Sequence, residues 1–109
     1  MTLQISTVPF EVVVAFDADG GATISPKGRV DSAGASQTRE VVLSALKAGV
    51  PRVELSLRDA IALSATAVVL LEQCGEMARR LGIELKITGA NCRLAEILRA
   101  AGLSLVGGT

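Results

Sequence analysis

Histidine, tryptophan and tyrosine are all absent from this sequence of 109 residues. Without histidine there is no Ser-His-Asp or Cys-His pair and no imidazole to move protons near neutral pH. The commonest zinc ligand is missing with it. The two cysteines, Cys74 and Cys92, stand too far apart for the C-x-x-C spacing of a structural metal site. Two cysteines in no motif read as reduced thiols rather than a disulfide framework, as expected in the cytoplasm. No convergent acid–base groups stand in for histidine. The sequence therefore predicts a protein that binds rather than catalyses, with no metal and no cofactor.

An excess of either charge is also lacking, since eleven Lys and Arg balance eleven Asp and Glu. The charges are scattered, so no basic field would draw nucleic acid or an anionic membrane. The first residues, Met1-Thr2-Leu3-Gln4-Ile5-Ser6, show no basic stretch followed by an apolar one, and so no signal peptide. The longest stretch of mainly apolar residues, 65–71, falls far short of the ~20 needed to cross a bilayer. A cytoplasmic protein without membrane insertion is expected.

What is present is core material: half of the residues are apolar, in a length that suits one domain. Phe10, Val12, Val14 and Phe16 alternate with other residues up to Asp17-Ala18-Asp19-Gly20-Gly21, a strand running into a hairpin turn. The return strand is Ala22 to Ser25, interrupted by Pro26-Lys27-Gly28 and closed by Arg29-Val30. No Lys-Ser/Thr follows the glycine pair, so it is turn chemistry and not a phosphate loop. Asp31 or Ser32 can cap a first helix with a stripe of Val41, Val42, Ala45 and Leu46, stopped by Gly49 and Pro51. Val53, Leu55 and Leu57 form a strand. Ser64 caps a second helix striped by Ala67, Leu70, Leu71, Cys74, Ala78 and Leu81 and stopped by Gly82. Ile83, Leu85 and Ile87 form another strand. Asn91 caps a third helix with Leu94, Ile97, Leu98 and Ala101, and Leu103 to Val106 add a short last strand.

Strand, helix, strand, helix order implies parallel crossovers. A sheet covered on both faces would be apolar on both, yet the central strands alternate with charge. The expectation is an α/β fold of two layers, a mixed sheet with the main helices packed on one face and the other face wet.

Two junctions carry a resemblance. Gly28-Arg29-Val30-Asp31 is similar to the Gly-x-Leu/Val-Asp lead into the first helix of STAS domains (sulfate transporter and anti-sigma-factor antagonist). Ser64-Ala65-Thr66-Ala67-Val68 takes the place of the family's Asp-Ser-Ser-Gly-Leu at the second. The spacing onward to Gly82 and the helix from Leu94 to Gly102 also fits, so the resemblance covers a core of about residues 10–106 in one STAS-like domain spanning 1–109. It implies a non-enzymatic regulator of the anti-sigma-factor antagonist kind, partnered by an anti-sigma factor or a serine/threonine kinase. In such proteins the second hydroxyl of the motif is phosphorylated, a role that falls here on Thr66. Ser64 stands where the family has Asp, and Ala67 where it has Gly. The resemblance equally admits a constitutive STAS subunit of a lipid-trafficking ABC transporter, or an adaptor in a chemotaxis or two-component cluster.

The residues support such a switch on their own terms. The first turn of a helix has free N–H groups and a favourable dipole for an anion, and a phosphate brings about −1.5 to −2 charges. The fold would tolerate the modification while a docked partner would be repelled. Thr66 leads the candidates for modification, with Ser64 second and an ordinary cap its plainer reading. For partner contact the candidates are Asp31, Arg58, Asp59, Ser64, Thr66, Val68 and Val69. Val69 projects onto the polar side of its helix among Glu72, Gln73, Glu76 and Arg80, and Val68 onto the flank of the apolar stripe. Burial of both against another element or a second copy of the chain is the alternative, which leaves a homodimer open.

Overall fold

The computed structural model describes residues 2–7 and 10–102, with side chains over 11–102. The hairpin expected from alternation is there, formed by β2 (Phe10–Phe16) and β3 (Ala22–Val30). They pair antiparallel with Val14 opposite Ile24 and Val12 opposite Pro26. Preceding them, β1 (Thr2–Thr7) pairs antiparallel with β2. The remaining elements are α1 (Ser32–Lys47), β4 (Arg52–Ser56), β5 (Ala60–Leu63), α2 (Ala65–Leu81), β6 (Glu84–Thr88) and α3 (Cys92–Ala100). The strands make one six-stranded mixed sheet of order β1-β2-β3-β4-β6, with β5 also on β3.

β2, β3 and β4 bury alternate residues. Val12, Val14, Ile24, Val53, Leu55, Leu57 and Ile87 share one core with Val42, Leu46, Leu71, Cys74, Leu94 and Leu98 of the helices. The alternate set, including Thr23, Ser25, Glu54, Ser56, Lys86 and Thr88, stays partly exposed. There the Thr88 hydroxyl donates to the Glu54 carboxylate at 2.9 Å across neighbouring strands. All three helices thus cover one face and the other is wet, the two-layer arrangement expected. Fully burying a Leu or Val side chain is worth about 1.5–3 kcal/mol, so this single cluster carries most of the fold. Thr38 of α1 is a buried polar side chain and is satisfied, its hydroxyl donating to the Gly34 carbonyl at 2.8 Å.

Several expectations are corrected. The return strand is not interrupted at Pro26, because β3 runs unbroken through it. Proline lacks an N–H, and the reason it is tolerated lies in the neighbours. Gly28, two residues on and so facing the same edge, donates to the Asp59 carbonyl at 3.0 Å. On that edge β3 pairs with β4 at Ala22–Ile24 and with β5 from Gly28, so Pro26 falls in the interval where no donor is needed. Residues 60–63, which carry no strand pattern in the sequence, form β5. β1 likewise has no counterpart in the sequence reading. Leu81 and Ile97, assigned to buried stripes, are 48% and 40% exposed. The strand expected at Leu103 to Val106 lies outside the described residues. Among the described residues no helix is long and apolar enough to cross a membrane.

Candidate functional site

β4 and β5 run in succession along the same edge of β3, and the chain between them, after Leu57 has entered the core, bulges at Arg58 and Asp59, whose side chains are exposed. Two glycines permit this. Gly28 adopts φ +97° at the point where the β3–β5 register shifts, a conformation other residues rarely reach. Gly89, at φ +74°, follows β6, and a Cβ there would come within 3.0 Å of the Arg58 backbone nitrogen. The bulge is therefore packed from both sides by backbone. It delivers the chain to Ser64, whose N–H donates to the Val30 carbonyl at 3.0 Å.

That bond brings the starts of α1 and α2 together. Asp31 caps α1, its carboxylate accepting from the Gly34 N–H at 2.9 Å. Ser64 caps α2, its hydroxyl accepting from the Ala67 N–H at 3.1 Å. Both border a shallow recess of about 230 Å³ with Arg29, Val30, Ala62 and Leu63. Capping of this kind is worth about 1 kcal/mol per helix. Thr66 follows as the second residue of α2. It is exposed, and its hydroxyl makes no hydrogen bond to any described residue. The Ala67 N–H is taken by Ser64 and the Val68 N–H by the Ser64 carbonyl, so the open amides of the first turn are those of Ala65 and Thr66.

The structure thus gathers Asp31, Ser64 and Thr66 at one end of the sheet. Arg58 and Asp59 sit in the adjoining bulge with exposed side chains, and no side-chain bond joins them to the other three. Val69, 51% exposed, lies one turn beyond Thr66 as projected. Val68 is a correction. At 8% exposed it belongs to the core cluster and is withdrawn from any docking surface, because the apolar stripe of α2 is wider than its Ala67-centred projection allows. Beside this site, one exposed apolar residue is not singled out by the sequence reading. Ile61 of β5 is 68% exposed just before Ser64. Its signal is a lone isoleucine between Ala60 and Ala62, in a segment too short to show a strand pattern.

Elsewhere the chemistry is sparse. Among the described residues no group of three or more His, Cys, Asp or Glu could hold a metal ion. Burial pushes the Cys74 thiol up to about 11, with the nearby Arg39 charge pulling weakly the other way. Cys92 is exposed at the start of α3. At the opposite end of the molecule Arg52 pairs with Asp19 and, at 3.9 Å, with Asp17, holding the Asp19 carboxyl below its usual range.

Solved structures share this architecture. The anti-sigma factor antagonist SpoIIAA in its unphosphorylated form is similar at a TM-score of 0.74 and 12% identity, over 90% of this chain and 89% of that one. The Bacillus cell fate determinant SpoIIAA in its phosphorylated form is similar at 0.71 and 11%, over 84% and 83%. An anti-sigma factor antagonist from Mycobacterium paratuberculosis is similar at 0.74 and 16%, over 89% and 81%. No curated protein matches the sequence. The sequence itself matches the STAS domain over residues 14–107, and with the mixed sheet, the one-sided helices and the capped start of α2 in place, the chain belongs to the STAS domain family.

Proposed function

We propose that this chain is a partner-switching regulator of the anti-sigma-factor antagonist kind, non-enzymatic itself, whose binding is turned off by phosphorylation of Thr66. The observation that carries the reading is the exposed, unbonded Thr66 hydroxyl in the first turn of α2, one turn from exposed Val69. A phosphate there meets the open amides of Ala65 and Thr66 and the positive end of the helix dipole, so the fold accommodates it. A partner seated over Thr66 and Val69 meets new negative charge and is displaced. That one neighbour of the same fold has been solved both phosphorylated and unphosphorylated supports the reading. The partner in this reading is an anti-sigma factor or serine/threonine kinase, and the ATP belongs to it.

The test is capture from the source organism's lysate with wild type, Thr66→Asp and Thr66→Ala side by side. Wild type and Thr66→Ala should retain the same ATP-binding partner and Thr66→Asp should lose it. Equal retention by both variants would remove the switch. A second reading has one observation in its favour, namely Ser64 in the place of the family's Asp. A STAS subunit that braces an ABC transporter ATPase constitutively needs a cap there and no kinase-recognition residue. Retention of an ABC ATPase by all three proteins would decide for it.

A further inference from the structure

The sheet's outer strands are not protected alike. β6, at one end of the order, carries Glu84 and Lys86, whose side chains pair at 3.5 Å. β5 offers only four residues. Charge and brevity are the usual means by which an edge strand is kept from pairing with another chain. β1, at the other end, has neither. Its six residues, Thr2-Leu3-Gln4-Ile5-Ser6-Thr7, include no charged residue, proline or glycine. Its register against β2 runs from Thr2 opposite Ala15 to Thr7 opposite Phe10, with no bulge to twist the edge away. Among the described residues no strand pairs with its outer side, so alternate backbone N–H and C=O groups there have no partner strand.

From this edge we infer that β1 pairs antiparallel with β1 of a second copy of the chain, about a two-fold axis at Gln4, joining the two sheets into one. The strand's own sequence selects that occupant. In a regular antiparallel ladder opposite residues alternate in step, so a strand meets its own copy only about an axis through one residue. With the axis at Gln4, Leu3 falls opposite Ile5 of the second copy, Thr2 opposite Ser6 and Gln4 opposite itself. Apolar meets apolar and hydroxyl meets hydroxyl, the cross-strand matches that stabilise a sheet, and no like charges face each other. An axis at Ile5 sets Leu3 against Thr7, and one at Leu3 shortens the ladder. Leu3 and Ile5 hold the register positions opposite Val14 and Val12, both core residues, so the Leu–Ile pairs extend the core's face of the sheet. α2 packs against β5 and β6, away from this edge, so the Thr66 surface of each copy stays open. The inference stands apart from partner switching and adds that the chain presents its docking surface twice.

Sedimentation equilibrium of the full chain from about 5 to about 500 μM should show monomer passing to dimer, as a small interface requires. Gln4→Lys sets like charges face to face at the axis and should weaken the dimer at least tenfold with unchanged melting. Disulfide trapping reads the register, in chains whose exposed Cys92 is replaced by serine. Gln4→Cys brings the two Cα atoms to about 4.5–5.5 Å, within disulfide range, so mild oxidation should trap a dimer. Thr2→Cys alone should not be trapped, because its counterpart lies four residues away, about 14 Å along the ladder. Thr2→Cys mixed with Ser6→Cys should be. A chain monomeric throughout, equal trapping of all three single variants, or a dimer insensitive to Gln4→Lys overturns the pairing. So does a dimer that Thr66→Asp disperses, which would place the contact on the α2 surface. A dimer that Thr66→Asp leaves intact supports the β1 contact, whatever that variant does to partner binding.

Discussion

The starts of α2 and α3 are built alike and differ in what surrounds them. Ser64 and Asn91 each accept from the N–H three residues on, at 3.1 and 2.9 Å, and each helix carries one cysteine. Beyond the cap they part. α2 presents an unbonded hydroxyl, exposed Val69, and Ile61 on the strand that leads into it. α3 presents Cys92, Arg93 and Glu96 around a single large exposed apolar residue, Ile97. A capped helix start is common local chemistry, and only the apolar exposure and the acceptor hydroxyl beside it single out one of the two as the proposed docking surface. The cysteines divide in the same way, since Cys74 is sealed in the core and Cys92 is open.

The largest expected effect concerns that seal. The Cys74 thiol is raised from about 9 to about 11 in the folded chain, so burial opposes its ionisation. A raised folded value gives stability that is complete below the unfolded value and is lost as pH rises from about 9 towards 11. At pH 10.5 the loss is about 2 kcal/mol relative to pH 8, because each tenfold change in the thiol's acidity is worth about 1.36 kcal/mol. Urea midpoints at the two pH values should show this drop in wild type and in Cys92→Ala but not in Cys74→Ala. The same drop in all three would assign it to other groups. Next in size is the switch. Thr66→Asp should weaken partner binding tenfold or more, about 1.4 kcal/mol, while Cys92→Asp, the same charge at the other helix start, leaves it unchanged. Titration calorimetry against the captured partner separates the two.

How far these differences can be read from sequence depends on the range of the physics involved. All three caps and the Gly82 stop follow from side chains acting on amides a few residues away, and each is where the sequence places it. The one-sided sheet is legible because Glu54, Ser56, Glu84 and Lys86 alternate with apolar residues. What escapes depends on long-range pairing. β5 exists because β3 has a free edge beyond β4, and Pro26 is harmless only because of the interval between those two partners. Val68 projects onto a flank because a helical wheel knows the period and not the width of what packs against it. The Thr66 position is legible through its spacing from Val53 and its place after a cap, whereas Ile61 needs neighbours distant in sequence.

A smaller effect sharpens the contrast between the surfaces. Val69→Lys and Ile97→Lys each replace an exposed side chain, so each should change stability by no more than about 0.5 kcal/mol. Only Val69→Lys should reduce partner affinity, by about tenfold, since a lysine in the centre of a contact must be desolvated without a matched acid. Equal loss in both would mean that the partner spans the whole helical face. Equal indifference would confine it to the first turn of α2.

The smallest effect bears on the residue that departs from the family. Ser64→Ala and Asn91→Ala should each cost about 1 kcal/mol, because each leaves a first-turn N–H without its side-chain acceptor. Ser64→Asp should cost almost nothing, since Asp caps as well as Ser and adds a charge that the helix start favours. Stability is thus indifferent between Ser and Asp at this position, and any difference in phosphorylation between them belongs to the kinase. Thermal melts of the three variants, run beside a phosphorylation assay with the captured kinase, separate the two roles. Matching melts with faster modification of Thr66 in Ser64→Asp would make the family's Asp a recognition residue and this chain a slowly modified switch. Matching melts with equal rates would make position 64 a cap and nothing more, and would return the whole of the specificity to Thr66 and the surface around Val69.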